Sequence, residues 1–262
     1  VAALTTAQLR ALDTSDLAGI GSGGIAAMSS AQIAGLSTAQ VRALATDQVE
    51  ALTTAQIRGM TTAQVAALGT DDLVALTTNQ LVGFGTHQIA ALTSNQIAAF
   101  ATDDLAALSA GQVRAIDTRG MDSFDTADLG AFGSAQLAAL SSAQLAAIGT
   151  DTITGLNTAA LAGLSATQVA GLTSSQLGAL ASDQLQTLSS AQLRALATAQ
   201  IAGLATDALN DLTSAQMMAL TTAQVAALTS TQLGNLTTDD LAALTTAQVR
   251  AFDTRALAAL DS

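Results

Sequence analysis

The chain contains no Cys, Pro, Trp, Tyr or Lys, and only one His and one Glu. Without Cys there are no disulfides and no thiol chemistry, so repetition has to supply the stability that cross-links would give. Without Lys, eight Arg face nineteen Asp and the single Glu, for a formal charge of −12. That balance argues against nucleic-acid backbones and anionic lipid surfaces, both of which require basic patches. Long apolar runs are also missing. A Ser, Thr, Gln or Asp interrupts every short segment, and nothing approaches the roughly 18 residues of a membrane span, so no membrane insertion is expected. Disorder is excluded from the other direction, because half of the 262 residues are hydrophobic, mostly Ala and Leu.

What is present is one eight-residue unit, repeated 32 times from Thr5 to Leu260 without insertion or deletion. The copies Thr61-Thr-Ala-Gln-Val-Ala-Ala-Leu68 and Thr221-Thr-Ala-Gln-Val-Ala-Ala-Leu228 are identical. A fixed short period means that each unit stacks only on neighbours, which predicts a solenoid and one continuous domain over 1–262, with repeats in register over 5–260. Val1-Ala-Ala-Leu4 has the form of the last half of an octad rather than of a signal peptide, so the array is expected to be part of a longer one.

With Thr61 as position 1 and Leu68 as position 8, position 5 is Val, Ile, Leu or Met in all 32 octads. Position 8 is Leu, Ile, Met or Phe in all 32, and every Phe (Phe84, Phe100, Phe124, Phe132, Phe252) falls there. Position 2 is Ser or Thr except at Ala110 and Ala166, position 4 is Gln in 21 octads and Asp in five, and position 7 is nearly always Ala or Gly. A strand would send positions 5 and 8 to opposite faces. A continuous helix, at about 100° per residue, would rotate the apolar pair by about 80° per octad and lose any stripe. Only a short helix that ends and restarts within each octad keeps both anchors inward. The expected fold is therefore all-α: a superhelix of 32 short capped helices, one per repeat.

A hydroxyl at position 2 followed by Ala-Gln or Asp-Gln reads as an N-cap, which places the helix over positions 3 to 8. A capping box beginning at position 1 is the rival register, and position 2 is preferred because position 1 drifts among Thr, Ser, Ala, Gly, Asp and Asn. Ala or Gly at position 7 would let adjacent coils approach closely. Octads carrying Asp at position 3 or nearby begin near 45, 69, 101, 125, 149, 181, 205 and 237. Seven steps over 192 residues give about 27 residues, or about 3.4 octads, per superhelical turn. Nine or so turns at helix-packing spacing would make a rod of about 80–90 Å, with an Asp ridge along one side.

Several groups are candidates for chemistry. The repeated Gln reads as a group that satisfies backbone atoms left open at helix junctions, rather than as a ligand-binding ladder. Asp71, Asp72, Asp103, Asp104, Asp239 and Asp240 are candidate Ca²⁺ ligands, although the same residues suit helix N-termini. No other cofactor is expected. His87 has no second His or Cys to build a metal site or a nucleophile–base pair with. Arg10, Arg42, Arg58, Arg114, Arg194 and Arg250 share the outward position 6 and read as solvated charges. Two octads break the pattern, Asp117–Phe124 and Asp253–Leu260, and in the first Asp117 or Asp122 could pair with Arg119. Gly21-Ser-Gly-Gly24 keeps the octad frame and lacks the Lys of a phosphate loop.

The run Leu220–Leu228, Leu-Thr-Thr-Ala-Gln-Val-Ala-Ala-Leu, resembles the "LTTAQ" octapeptide arrays of large exported proteobacterial surface proteins of adhesin, surface-layer or filament type. The resemblance covers the whole chain and implies a non-catalytic, extracellular or cell-surface structural protein that associates with copies of itself. A stalk, spacer, filament or surface-layer subunit fits this best. The alternative is an adhesin-type binding module for calcium or carbohydrate. No convergent acid, base or nucleophile suggests an enzyme.

Overall fold

The computed structural model describes residues 1–252, and the octad Asp253–Leu260, including Arg255, lies outside the described residues. Over the described residues there are 31 α-helices and no strand, one helix for each octad from Thr6–Ala11 to Thr246–Val249. Each has four to six residues, too few to persist alone, since an isolated helix in water needs ~12 or more. Packing holds them. Position 5 is buried in every octad from Leu9 to Leu233, and position 8 in every octad from Met28 to Leu244. Each such side chain contributes on the order of 1.5–3 kcal/mol on burial, most of it offset by the entropy of ordering the chain.

The caps sit one residue earlier than the hydroxyl at position 2 suggests. Position 1 is the N-cap: Thr61 Oγ1 accepts the Gln64 N–H, the Gln64 side chain returns to Thr61, and the helix runs Thr62–Val65. The capping box is therefore the register the chain adopts, and the helix covers positions 2 to 5, 6 or 7, not 3 to 8. The drift at position 1 has a physical reason. Gln Oε1 takes the N-cap N–H whatever residue provides it, as at Ala45 (2.8 Å), Gly85 (2.7 Å) and Ala197 (2.6 Å). A hydroxyl there is helpful but dispensable. In this register positions 8 and 5 become N′ and N4, the pair of a hydrophobic staple, so one octad carries both a capping box and a staple.

Corners need no special residue. The N-cap is extended (Thr61 φ −73°, ψ 157°), and so is position 8 before it (Met60 φ −62°, ψ 143°). No residue, glycine included, has a positive φ among the described residues. The corner is two extended residues between two short helices, a conformation open to any L-residue.

The described chain divides into two compact units, Val1–Phe124 with Ala131–Ala139, and Asp125–Gly130 with the chain from Leu140 onward. Within each, a helix packs on the one three octads away, as Ser30–Gly35 does on Thr54–Gly59 in the first and Ala166–Ala170 on Ser190–Ala195 in the second. Position 7 meets position 2 across that contact. A Cβ on Gly59 would stand 2.8 Å from Ser30 Cβ, and one on Gly155 would stand 2.5 Å from Thr126 Cγ2 and 2.8 Å from the Thr126 carbonyl oxygen. Only hydrogen fits there, which is the close approach that small residues at position 7 were expected to serve. Position 2 also bonds across turns: Ser30 Oγ donates to the Ala55 carbonyl (2.9 Å) and Ser142 Oγ to that of Thr167 (3.0 Å). The hydroxyl at position 2 is regular because it packs between turns, not because it caps.

Candidate functional site

The most repeated polar side chain is almost wholly inward. Gln at position 4 is buried in every octad that carries it except at Gln8. Its amide divides its work. Oε1 of Gln64 accepts from the Thr61 N–H (2.8 Å), while Nε2 donates to the carbonyls of Ile33 and Leu36, both at 2.8 Å. Those carbonyls belong to positions 5 and 8 of the octad four repeats earlier. In the second unit, Gln176 Nε2 reaches Leu145 (2.8 Å) and Ile148 (2.7 Å) in the same way. Short helices leave their last carbonyls and first amides without partners, and burying such groups unpaired is costly. One amide serves both ends: the start of its own helix and the end of a helix one turn away. This is the junction role read from the sequence, with its partners now identified. Gln8, in the first octad, is exposed.

The same bonds measure the turn. A helix leans on the helix three octads away and its Gln reaches the octad four away, 28 and 31 residues back. The turn therefore closes between 24 and 32 residues, which brackets the 27 or so given by the spacing of Asp.

The Asp candidates divide by position. Asp71, Asp103 and Asp239, at position 3, are exposed; Asp72 and Asp240, at position 4, are buried, and Asp104 is half-buried. Asp72 does part of a Gln's work, with Oδ2 accepting from the Gly69 N–H (3.0 Å). Being one methylene shorter and without N–H groups, it turns to a neighbouring helix, where Thr46 Oγ1 donates to Oδ1 at 3.2 Å. Thr78 Oγ1 does the same for Asp104 Oδ1 (2.8 Å), and Asp240 Oδ2 accepts from Thr237 Oγ1 (2.6 Å). Among the described residues, no three or more His, Cys, Asp or Glu side chains come together as a metal-binding group.

Of the two acids proposed for Arg119, the structure selects Asp117, whose Oδ1 accepts from Arg119 Nε at 2.8 Å. The Arg119 hydrogen bond, with help from its backbone N–H, holds the Asp117 carboxyl below its ordinary value and raises the guanidinium in return. Asp13 is likewise lowered, chiefly by the Ser15 hydroxyl and then by the Asp16 N–H. The ion pair borders an open groove of about 380 Å³ lined also by Leu92, Thr93, Ser94 and Asn95. His87 is exposed.

The position-6 Arg residues are exposed, but Arg194 is more than a solvated charge: its Nε donates to the Ala219 carbonyl at 2.9 Å. Gln186 and Asn210 occupy the same position and make the same bond, to the carbonyls of Asp211 and Asn235. Sequence reasoning missed this lateral clamp. Its signal was a long polar side chain at position 6 three octads before an unremarkable position 7.

Short capped helices stacked by an amide ladder define an α-solenoid repeat protein. The ALTTAQ repeat model matches residues 17–54, 46–71, 65–102 and 121–158, and over these segments the chain is similar to the ALTTAQ repeat family. No curated protein matches the chain. Among the described residues no helix is long and apolar enough to cross a membrane.

Proposed function

We propose that the chain is a non-catalytic structural element of the cell exterior, a stalk, spacer or filament subunit that associates with copies of itself. One observation carries this reading. The repeated polar group, Gln, is turned inward and satisfied by backbone in turn after turn, so repetition maintains a scaffold rather than a row of reacting groups. Solenoid ends present the apolar surface that a neighbouring repeat would cover, which favours association with like ends. The acidic, Lys-free composition suits an exported location. Light scattering of the purified chain over a concentration series tests self-association: the mean mass should rise with concentration, and a constant monomer mass would leave only a passive spacer. Imaging cells for surface fibres with and without the gene tests the location.

A second reading, a carbohydrate- or calcium-binding module, draws on the groove beside Asp117 and Arg119, whose Thr93, Ser94 and Asn95 are the kind of side chains that hold sugar hydroxyls. Calorimetry with Ca²⁺ and with simple sugars tests it; an absence of heat and an unchanged melting temperature would end it.

A further inference from the structure

With the turn bracketed between 24 and 32 residues and ladder bonds spanning 28, residues 56 apart stand close to two turns apart, on about the same side. In the first unit Arg58 and Arg114 are 56 residues apart, and in the second Arg194 and Arg250 are 56 apart; all four are exposed. Asp47 and Asp103, and separately Asp183 and Asp239, show the same interval and are also exposed. Each of these four Arg follows its Asp by 11 residues, a little under half a turn. Asp71 and Asp207 come 13 residues after Arg58 and Arg194, again close to half a turn. Each unit therefore carries an Arg column, repeating every two turns, on the side away from an Asp column. Arg10 and Arg42 do not belong to the Arg column. Arg42 stands with the acids, about one turn after Asp16, and Arg10 precedes Arg58 by 48 residues, well short of the two-turn interval.

We infer that copies of this chain pair side by side, the Arg column of one lying against the Asp column of the next. Opposite charge on opposite faces, at one interval, is complementary to another copy of itself and to every further copy added in the same direction, so the contact propagates laterally. The inference rests on the self-association proposed above and supplies its lateral contact.

Sedimentation of the full chain at low and high salt tests it, because exposed charges at ~1 M are screened within about 3 Å. Two double variants make the same change of net charge on different faces: Arg58→Glu with Arg114→Glu, and Arg10→Glu with Arg42→Glu. Position 6 already accommodates Glu50, and circular dichroism checks that both fold. The wild type should associate at 20 mM salt and dissociate toward monomer at ~1 M. The first variant should associate at least tenfold more weakly, and the second less than threefold. Association that ignores salt, or equal weakening in both variants, overturns the lateral contact while leaving end-to-end assembly standing. A wild-type chain that stays monomeric under every condition overturns both.

Discussion

Replacing Gln64 by Met tests the amide ladder at a rung where every partner is known. The side chain is 1% exposed and serves the Thr61 N–H, the Ile33 carbonyl and the Leu36 carbonyl. Met keeps the length and removes both polar ends. Ile33 O retains the Leu36 N–H at 3.1 Å, so the groups left bare are Leu36 O and Thr61 N. Each buried orphan costs about 1–3 kcal/mol, which predicts a loss of about 2–6 kcal/mol. Gln8→Met is the matched control. It removes only the bonds from Thr5 N (2.9 Å) and Thr5 Oγ1 (3.0 Å) in an exposed helix, where water replaces the lost partner, and should cost less than about 1 kcal/mol. Gln64→Glu adds a pH test. A buried carboxylate facing two carbonyls repels them, whereas a protonated one donates to one of them, so folding raises its pKa. The variant should be most stable below the ordinary Glu value of about 4.3 and lose that stability as pH rises through the raised folded value. Urea unfolding followed at 222 nm, with amide exchange at Thr61 as a local readout, measures all three. If Gln64→Met and Gln8→Met agree within about 0.5 kcal/mol, the ladder does not hold the turns together.

Gly155→Ala should destabilise by about 1–3 kcal/mol through its clash with Thr126, whereas Gly178→Ala, in a helix with nothing within 4 Å, should stabilise by up to about 1 kcal/mol in the same melts. Leu177→Ala, at a side chain with no exposure, should cost about 2–5 kcal/mol, and Val74→Ala, 62% exposed, should stay within about 0.5 kcal/mol in urea titrations. A carbon-detected NMR titration should place the Asp117 carboxyl below 3.8, and Arg119→Ala should move it upward; because the folded value is depressed, the pair's small contribution is present above 3.8 and disappears as pH falls through the folded value.

The helical period, the inward anchors and the small position 7 could all be read from the sequence, because each leaves a mark at a fixed place in all or most octads, and the turn was legible more coarsely, from the spacing of eight Asp-bearing octads. The position of the cap could not. Thr61 and Thr62 are the same residue type, and the pattern alone cannot tell which hydroxyl caps when a third group, the Gln64 amide, can stand in for the first. Variability at position 1 counted against a cap there and was in fact redundancy. The partners of Gln were hidden for a different reason: they are backbone carbonyls 28 and 31 residues away, and carbonyls have no sequence signature. The clamp made by Gln186, Arg194 and Asn210 was obscured in the same way, since each reaches a main-chain oxygen.

Because the corners use only extended backbone, no proline and no conformation that requires glycine, one octad can be duplicated or lost without leaving a damaged joint. Every rung downstream simply finds the carbonyls of whichever octad now lies four places back. What such an event does change is direction: all later side chains swing by roughly a third of a turn about the axis. Gene length can thus vary freely in this architecture while the outer pattern of charge is re-aimed, so that natural variation in copy number would act on what the surface meets before it acts on whether the chain folds.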